Sequence, residues 1–232
     1  MKTNRLIQSM TFGVAAVAIT ACAPAKMVVP ADIAALDQIV VTNRSNASGA
    51  FIDESFKMGL YAISNVDRKW NTSSSKNLSV VSSEESAGGY AYDFANDKAK
   101  GKGECAITGS KKSVSLLSGL DVSKSASKIA CACDWSQRVA KVALEAGNDG
   151  KFKGNLVTSA GNYTIEAIYE REGSVSDGSP AGYRVDGQNP VGGVESLKPG
   201  RIWLNQSLSV EERDDLSCVF AGLMLYLPTR DK

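Results

Sequence analysis

The sequence predicts a mainly β fold with a C-terminal helix. The architecture it suggests is an antiparallel β-sandwich or a partly open barrel, with a helix over about residues 209–227 packed on one face or end. Three observations carry this. Roughly ten short apolar runs, alternating or two-sided, recur between turn signals. Asp149-Gly150 joins two alternating runs, the strongest short-range hairpin signal, because both residues tolerate positive φ. Beyond Ser209 the apolar period changes from two to three and four.

In order, Ile39-Val40-Val41 within Ala31–Asn43 reads as the first strand, and Asn43–Gly49 as a polar turn. Phe56–Ile63, leading to Val66, reads as one strand because of its β-branched and aromatic content. Trp70–Asn77 is a loop, Leu78–Val81 a short strand and Ser82–Gly89 a turn region. Gly89–Phe94 alternates with Tyr90, Tyr92 and Phe94 on one face; a half-buried strand with its aromatics in the core is expected rather than an aromatic binding surface. Lys98–Lys102 is a basic hairpin loop, Glu104–Thr108 a strand, and Ser110–Ser127 coil with short strand. Lys128–Trp135, Arg138–Glu145, Phe152–Thr158 and Tyr163–Glu170 are strands; Glu172–Pro180 is a Gly/Ser loop. Gly182–Val185, Val191–Leu197 and Arg201–Asn205 are three more strands.

The last element opens on Ser209-Val210-Glu211-Glu212, a capping box in which the serine hydroxyl and Glu212 satisfy free N–H groups. Leu216, Val219, Phe220, Leu223 and Leu227 then recur at helical spacing until Pro228. From Val219 on the helix is apolar nearly all round, so deep burial is expected.

The opening residues differ from everything after them. Lys2 and Arg5 precede an apolar, small-residue stretch, Thr11–Ala21, too short to cross a bilayer but of signal-peptide length. It ends Ile19-Thr20-Ala21-Cys22, which resembles the lipobox of bacterial lipoproteins. The resemblance implies cleavage before Cys22, acylation of its sulfur and new amino group, and a membrane anchor; several acyl chains hold a protein firmly where one does not. It divides the chain into a signal peptide (1–21), a lipidated tether (22–30) and a single β-rich domain with its C-terminal helix (31–232). Because Ala23 rather than an aspartate follows Cys22, the resemblance implies an outer-membrane location, facing the periplasm or the cell surface.

The 26 Lys and Arg, less Lys2 and Arg5, face 25 Asp and Glu, so the mature chain is near neutral and has no basic footprint for nucleic acid. It contains no apolar run long enough for a membrane-spanning helix.

Beyond Cys22 the candidate site residues are Cys105, Cys131, Cys133 and Cys218. An even count in an exported chain implies disulfides. In an extended segment Cys131 and Cys133 share a face with Cβ atoms about 6–7 Å apart, too far for a bridge, so each pairs elsewhere, with Cys105 and Cys218 as partners. A Cys₄ zinc site would need closely spaced pairs, and only one C-x-C is present.

Histidine is absent from the chain, which removes Ser-His-Asp and Cys-His chemistry. Ser73–Lys76 fits S-x-x-K without the accompanying motifs of β-lactamases. Gly103–Lys111 has the wrong spacing for a phosphate loop. Glu84-Glu85, Asp93 with Asp97, Glu166 with Glu170, and Asp214-Asp215 are carboxylate pairs of the kind any acidic-rich chain contains. The expectation is therefore no catalytic residue, no metal and no cofactor. The role expected is binding or assembly at the envelope, through the membrane at Cys22 and an envelope protein or cell-wall glycan. The alternatives are an inhibitor or immunity lipoprotein, with Glu172–Pro180 or Lys98–Lys102 as its contact loop, and a hydrolase using carboxylates alone.

Overall fold

The computed structural model describes residues 24–45, 52–69, 88–108, 114–116, 120–122 and 128–227. In chain order the elements are β1 (Lys26–Met27), α1 (Ala31–Ala34), β2 (Asp37–Thr42), β3 (Phe56–Met58), β4 (Tyr61–Lys69), β5 (Gly88–Ala95), β6 (Lys100–Thr108), β7 (Val114–Leu116) and β8 (Leu120–Val122). They continue with β9 (Lys128–Trp135), β10 (Arg138–Ala146), β11 (Phe152–Val157), β12 (Asn162–Ile168), β13 (Arg171–Glu172), β14 (Gly182–Asp186), β15 (Pro190–Glu195), β16 (Arg201–Leu204) and α2 (Val210–Leu225).

Twelve strands pair antiparallel in a ring, β2-β3-β4-β5-β6-β9-β10-β11-β12-β14-β15-β16 and back to β2. The chain is thus mainly β with a C-terminal helix, and its sheet closes fully where the sequence suggested a sandwich or a partly open barrel. Two pairings between strands distant in sequence complete the ring. β16 pairs with β2, Arg201 opposite Val40 and Leu204 opposite Asp37. β6 pairs with β9 across the β7–β8 hairpin. Full closure removes the exposed edges that a sandwich would have to protect.

The helix is not laid on a face or an end of the barrel. Every residue from Asp215 to Leu225 is buried, more than two complete turns with no exposed stripe. Helix and inward-facing strand residues form one core: Phe94, Trp135, Leu144, Leu156 and Val194 from around the ring pack with Leu216, Val219, Phe220 and Leu223. α2 therefore occupies the lumen. A barrel of about eight strands is filled by its own side chains, whereas twelve leave room for a helix about 10–12 Å across. Only a helix apolar on all sides suits that position, which is why α2 has no distinct polar face.

Several boundaries move. Phe56–Ile63 is not one strand but the β3–β4 hairpin, turning at Gly59-Leu60 with Gly59 at φ +55°; apolar residues on both sides of the turn hide it in the sequence. The Lys98–Lys102 loop contracts to a turn at Asn96–Ala99, where the Asn96 side-chain oxygen accepts from the Lys98 and Ala99 amides; Lys100 and Lys102 are in β6. The packed chain also begins before residue 31. Lys26 pairs with Glu172 and Met27 with Arg171, and Met27, Ile33, Ile168, Ala181 and Trp203 form a second small core outside the barrel. The expected elements at Trp70–Asn77, Leu78–Val81 and nearly all of Ser82–Gly89 lie outside the described residues.

Candidate functional site

The ring of hairpins gives the barrel two unlike rims. Around the N-terminus of α2 the connections are tight: Gly59-Leu60, Asn96–Ala99, Ser136-Gln137, Thr158–Gly161 and Gly187–Asn189. Around its C-terminus, beside the tight turn at 147–151, lie strand ends set farther apart in sequence: those of β2 and β3, β4 and β5, β6 and β9, β12 and β14, and β15 and β16. The candidate site is the luminal helix with the polar groups that hold it at each rim.

The cysteines sit between the rims. Cys105 on β6 lies directly opposite Cys131 on β9 and is bonded to it. Cys133 is bonded to Cys218, midway along the helix. Cys131 and Cys133 are thus in separate bridges, as their spacing requires, and no thiolate of the four is left for zinc. A Cβ on Gly222 would lie 2.8 Å from both the Cys105 sulfur and the Tyr92 hydroxyl, so only glycine lets the helix approach this wall so closely. Cys22 lies outside the described residues.

At the short-turn rim the helix start carries acids, favoured there by the helix dipole. Ser209 caps as expected, its Oγ accepting from the Glu212 amide at 3.1 Å. The Glu212 carboxylate does not close the capping box; it accepts from the Tyr163 hydroxyl. Asp214 accepts from the Tyr61 hydroxyl at 2.6 Å, from Trp135 Nε1 at 3.3 Å and from Arg138 at 3.5 Å. Asp215, 1 % exposed, accepts from Arg138 Nε at 3.0 Å and from Ser159 Oγ at 2.7 Å. Burial, reinforced by the adjacent carboxylates, holds the Tyr61 phenol well above its ordinary range and pushes Tyr163 up to about 12.

The long-loop rim is basic. The last turn of α2 has no cation of its own, so its orphan carbonyls are met from the barrel. Arg44 donates to the carbonyls of Met224, Ser196, Leu197 and Pro199. Arg68 donates to Leu225 at 2.7 Å and forms a two-point ion pair with Glu54, 2.6 Å at each contact. The two guanidiniums lie over the rings of Phe56 and Tyr90. Burial brings Arg44 down to about 10. Sequence reasoning missed all three charged residues; the available signal was a buried helix end without a local cation.

Asp214, Asp215, Glu212 and Glu54 are each hydrogen-bonded to groups of the barrel wall. Of the other pairs noted in the sequence, Asp93 accepts from Asn65, while Glu166 faces Lys153 at 3.5 Å on the outer surface. Glu166 and Glu170 border an open hollow of about 400 Å³ beside Val28 and Lys151, mixed in charge. Glu84-Glu85 and Ser73–Lys76 lie outside the described residues. The Gly103 end of the phosphate-loop resemblance is β-strand, with Cys105 bridged within it. Among the described residues no group of three or more His, Cys, Asp and Glu is placed to hold a metal, and no helix is long and apolar enough to cross a membrane. No family model, curated protein or solved structure matches the chain.

Proposed function

We propose that this is a lipid-anchored protein of the bacterial envelope, held at the outer membrane through acylated Cys22, with a binding or assembly role rather than a catalytic one. The observation that carries the non-catalytic part is the filled lumen: the barrel interior is occupied by the chain's own helix, tied in by Cys133–Cys218. The anchor rests on the lipobox resemblance at Ile19-Thr20-Ala21-Cys22.

Of the two partner classes, an envelope protein fits better than a cell-wall glycan. Sugar platforms use exposed aromatic rings, and here Tyr90, Tyr92, Phe94, Trp135, Tyr183 and Trp203 are all buried. What the short-turn rim offers instead is aliphatic: Leu60, Val139, Val157 and Val210 are exposed there. Val157 pairs with Lys141, one outward position from Val139. Arg138 donates to the Glu211 carbonyl, which brings Val210 into the same sector.

The inhibitor reading is favoured by one feature, a braced loop at Gly173–Ser179 in which Arg171 holds Asp177 at 2.7 Å. The other loop considered for it, Lys98–Lys102, is a tight turn running into strand.

The experiment is capture of cross-linked partners by the full-length protein, by Cys22→Ser and by V139E/V157E. The expected result is membrane release by Cys22→Ser and loss of one envelope protein from the valine double variant, with its fold intact. Membrane retention of Cys22→Ser contradicts the anchor, and undiminished capture by V139E/V157E contradicts the partner surface.

A further inference from the structure

We propose that the tip of the Gly173–Ser179 loop, with Val175 at its apex, rests on the lipid surface beside Cys22; this builds on the reading of Cys22 as the acylated residue. The placement follows from strand register. β1 and β13 run antiparallel, Lys26 opposite Glu172 and Met27 opposite Arg171. Going back along the chain from Lys26 therefore leads in the same direction as going forward from Glu172 into the loop.

Cys22 is four residues before Lys26, a reach of at most about 14 Å even fully extended. β1 cannot swing away on that tether, because Met27 is buried against Ile168 and Ala181, its amide donates to Glu195 Oε1 at 2.6 Å, and its carbonyl accepts from Arg201. Acyl chains buried in a bilayer hold their attachment sulfur at headgroup depth. The loop that shares this short reach is brought there with it.

The loop's chemistry suits that position. Its leading side, Gly173-Ser174-Val175-Ser176, is uncharged, and Val175 is 91 % exposed, the highest value among the described large apolar side chains. Its base is stiff: Arg171 reaches Asp177 at 2.7 Å and the Ser179 carbonyl at 2.8 Å, and Asp177 accepts from the Ser179 amide at 2.9 Å. An aliphatic side chain on the uncharged leading side of a braced loop adds a second contact to the acyl anchor and sets the barrel's orientation. The short-turn rim, at the other end of a helix of 16 residues, then faces away from the membrane.

The test uses the acylated full-length protein in phosphatidylethanolamine–phosphatidylglycerol vesicles that carry a nitroxide headgroup lipid. A thiol-reactive fluorophore is attached at Val175→Cys, and in a parallel sample at Leu60→Cys on the opposite rim; both sites are exposed and the native cysteines are bridged or acylated. Quenching severalfold stronger at position 175 than at 60 is the expected result. Equal quenching in protein that floats with the vesicles overturns the loop contact and leaves the anchor standing, as does burial of the position-175 label in a protein partner. Failure of the protein to float overturns the anchor, and the proposal with it.

Discussion

Cys133 of β9 is bonded to Cys218 at the middle of α2, so the last element of the chain is joined covalently to the wall that encloses it. The bridge spans 85 residues, against 26 for Cys105–Cys131. Chain-entropy arithmetic gives about 4.5 kcal/mol for the longer loop and about 3.5 kcal/mol for the shorter. C133S/C218S is expected to lower the urea midpoint further than C105S/C131S. The reverse order would mean that the luminal helix is held by packing alone.

Gly222→Ala separates helix propensity from packing. Alanine is favoured over glycine inside a helix by about 1 kcal/mol. At this position the added methyl meets a disulfide sulfur and a tyrosine hydroxyl that is itself fixed by a 2.8 Å bond to the Cys218 carbonyl. Overpacking of about 1–3 kcal/mol outweighs the propensity gain. The variant is expected to be less stable in denaturant titration; stabilisation would place α2 away from the β6–β9 wall.

Arg68→Ala removes the two-point ion pair to the buried Glu54 carboxylate and the hydrogen bond to the Leu225 carbonyl. Breaking such a pair costs about 3–5 kcal/mol, whereas replacing both partners with apolar groups costs much less. E54L/R68M is therefore expected to unfold at higher urea than R68A. If the two match, the pair is not buried as described.

All seven tyrosines are held above the ordinary phenol range, burial being the leading cause at each, with Tyr163 and Tyr226 near 12. In the unfolded chain they titrate near 10. Below that pH both states keep their protons and stability is unaffected. As pH rises from 10 toward 12 the unfolded state binds fewer protons than the folded one, so stability falls. Phenolate absorbance is expected to rise together with loss of the far-ultraviolet β signal in this window. Ionisation near pH 10 with the fold retained would contradict the burial of these rings.

Local order was legible where one signal dominated. Asp149-Gly150 marked its hairpin, Tyr90, Tyr92 and Phe94 declared an inward face, and Ser209 capped the helix it was expected to cap. The spacing of Cys131 and Cys133 decided that they are bridged separately. Closure was not legible, because pairing of β16 with β2 joins strands whose own sequences contain nothing that names a partner. The luminal position of α2 followed from its all-round apolar second half only once twelve strands supplied a hole of the right width. Arg44 and Arg68 escaped notice because they serve carbonyls at residues 224 and 225, more than 150 positions away in the chain, and Glu54 because its role is to pair with Arg68 there. Strand β1 was hidden in what looked like tether, since two residues carry no periodicity.

The central claim, that α2 fills a closed barrel, is tested most directly by native-state hydrogen exchange at the amides of residues 216–225. Enclosure on every side predicts that all of them exchange only through global unfolding, with one common free energy around the helix. A lower protection recurring every three to four residues would mark a solvent-facing stripe, place the helix on the outside, and contradict the account.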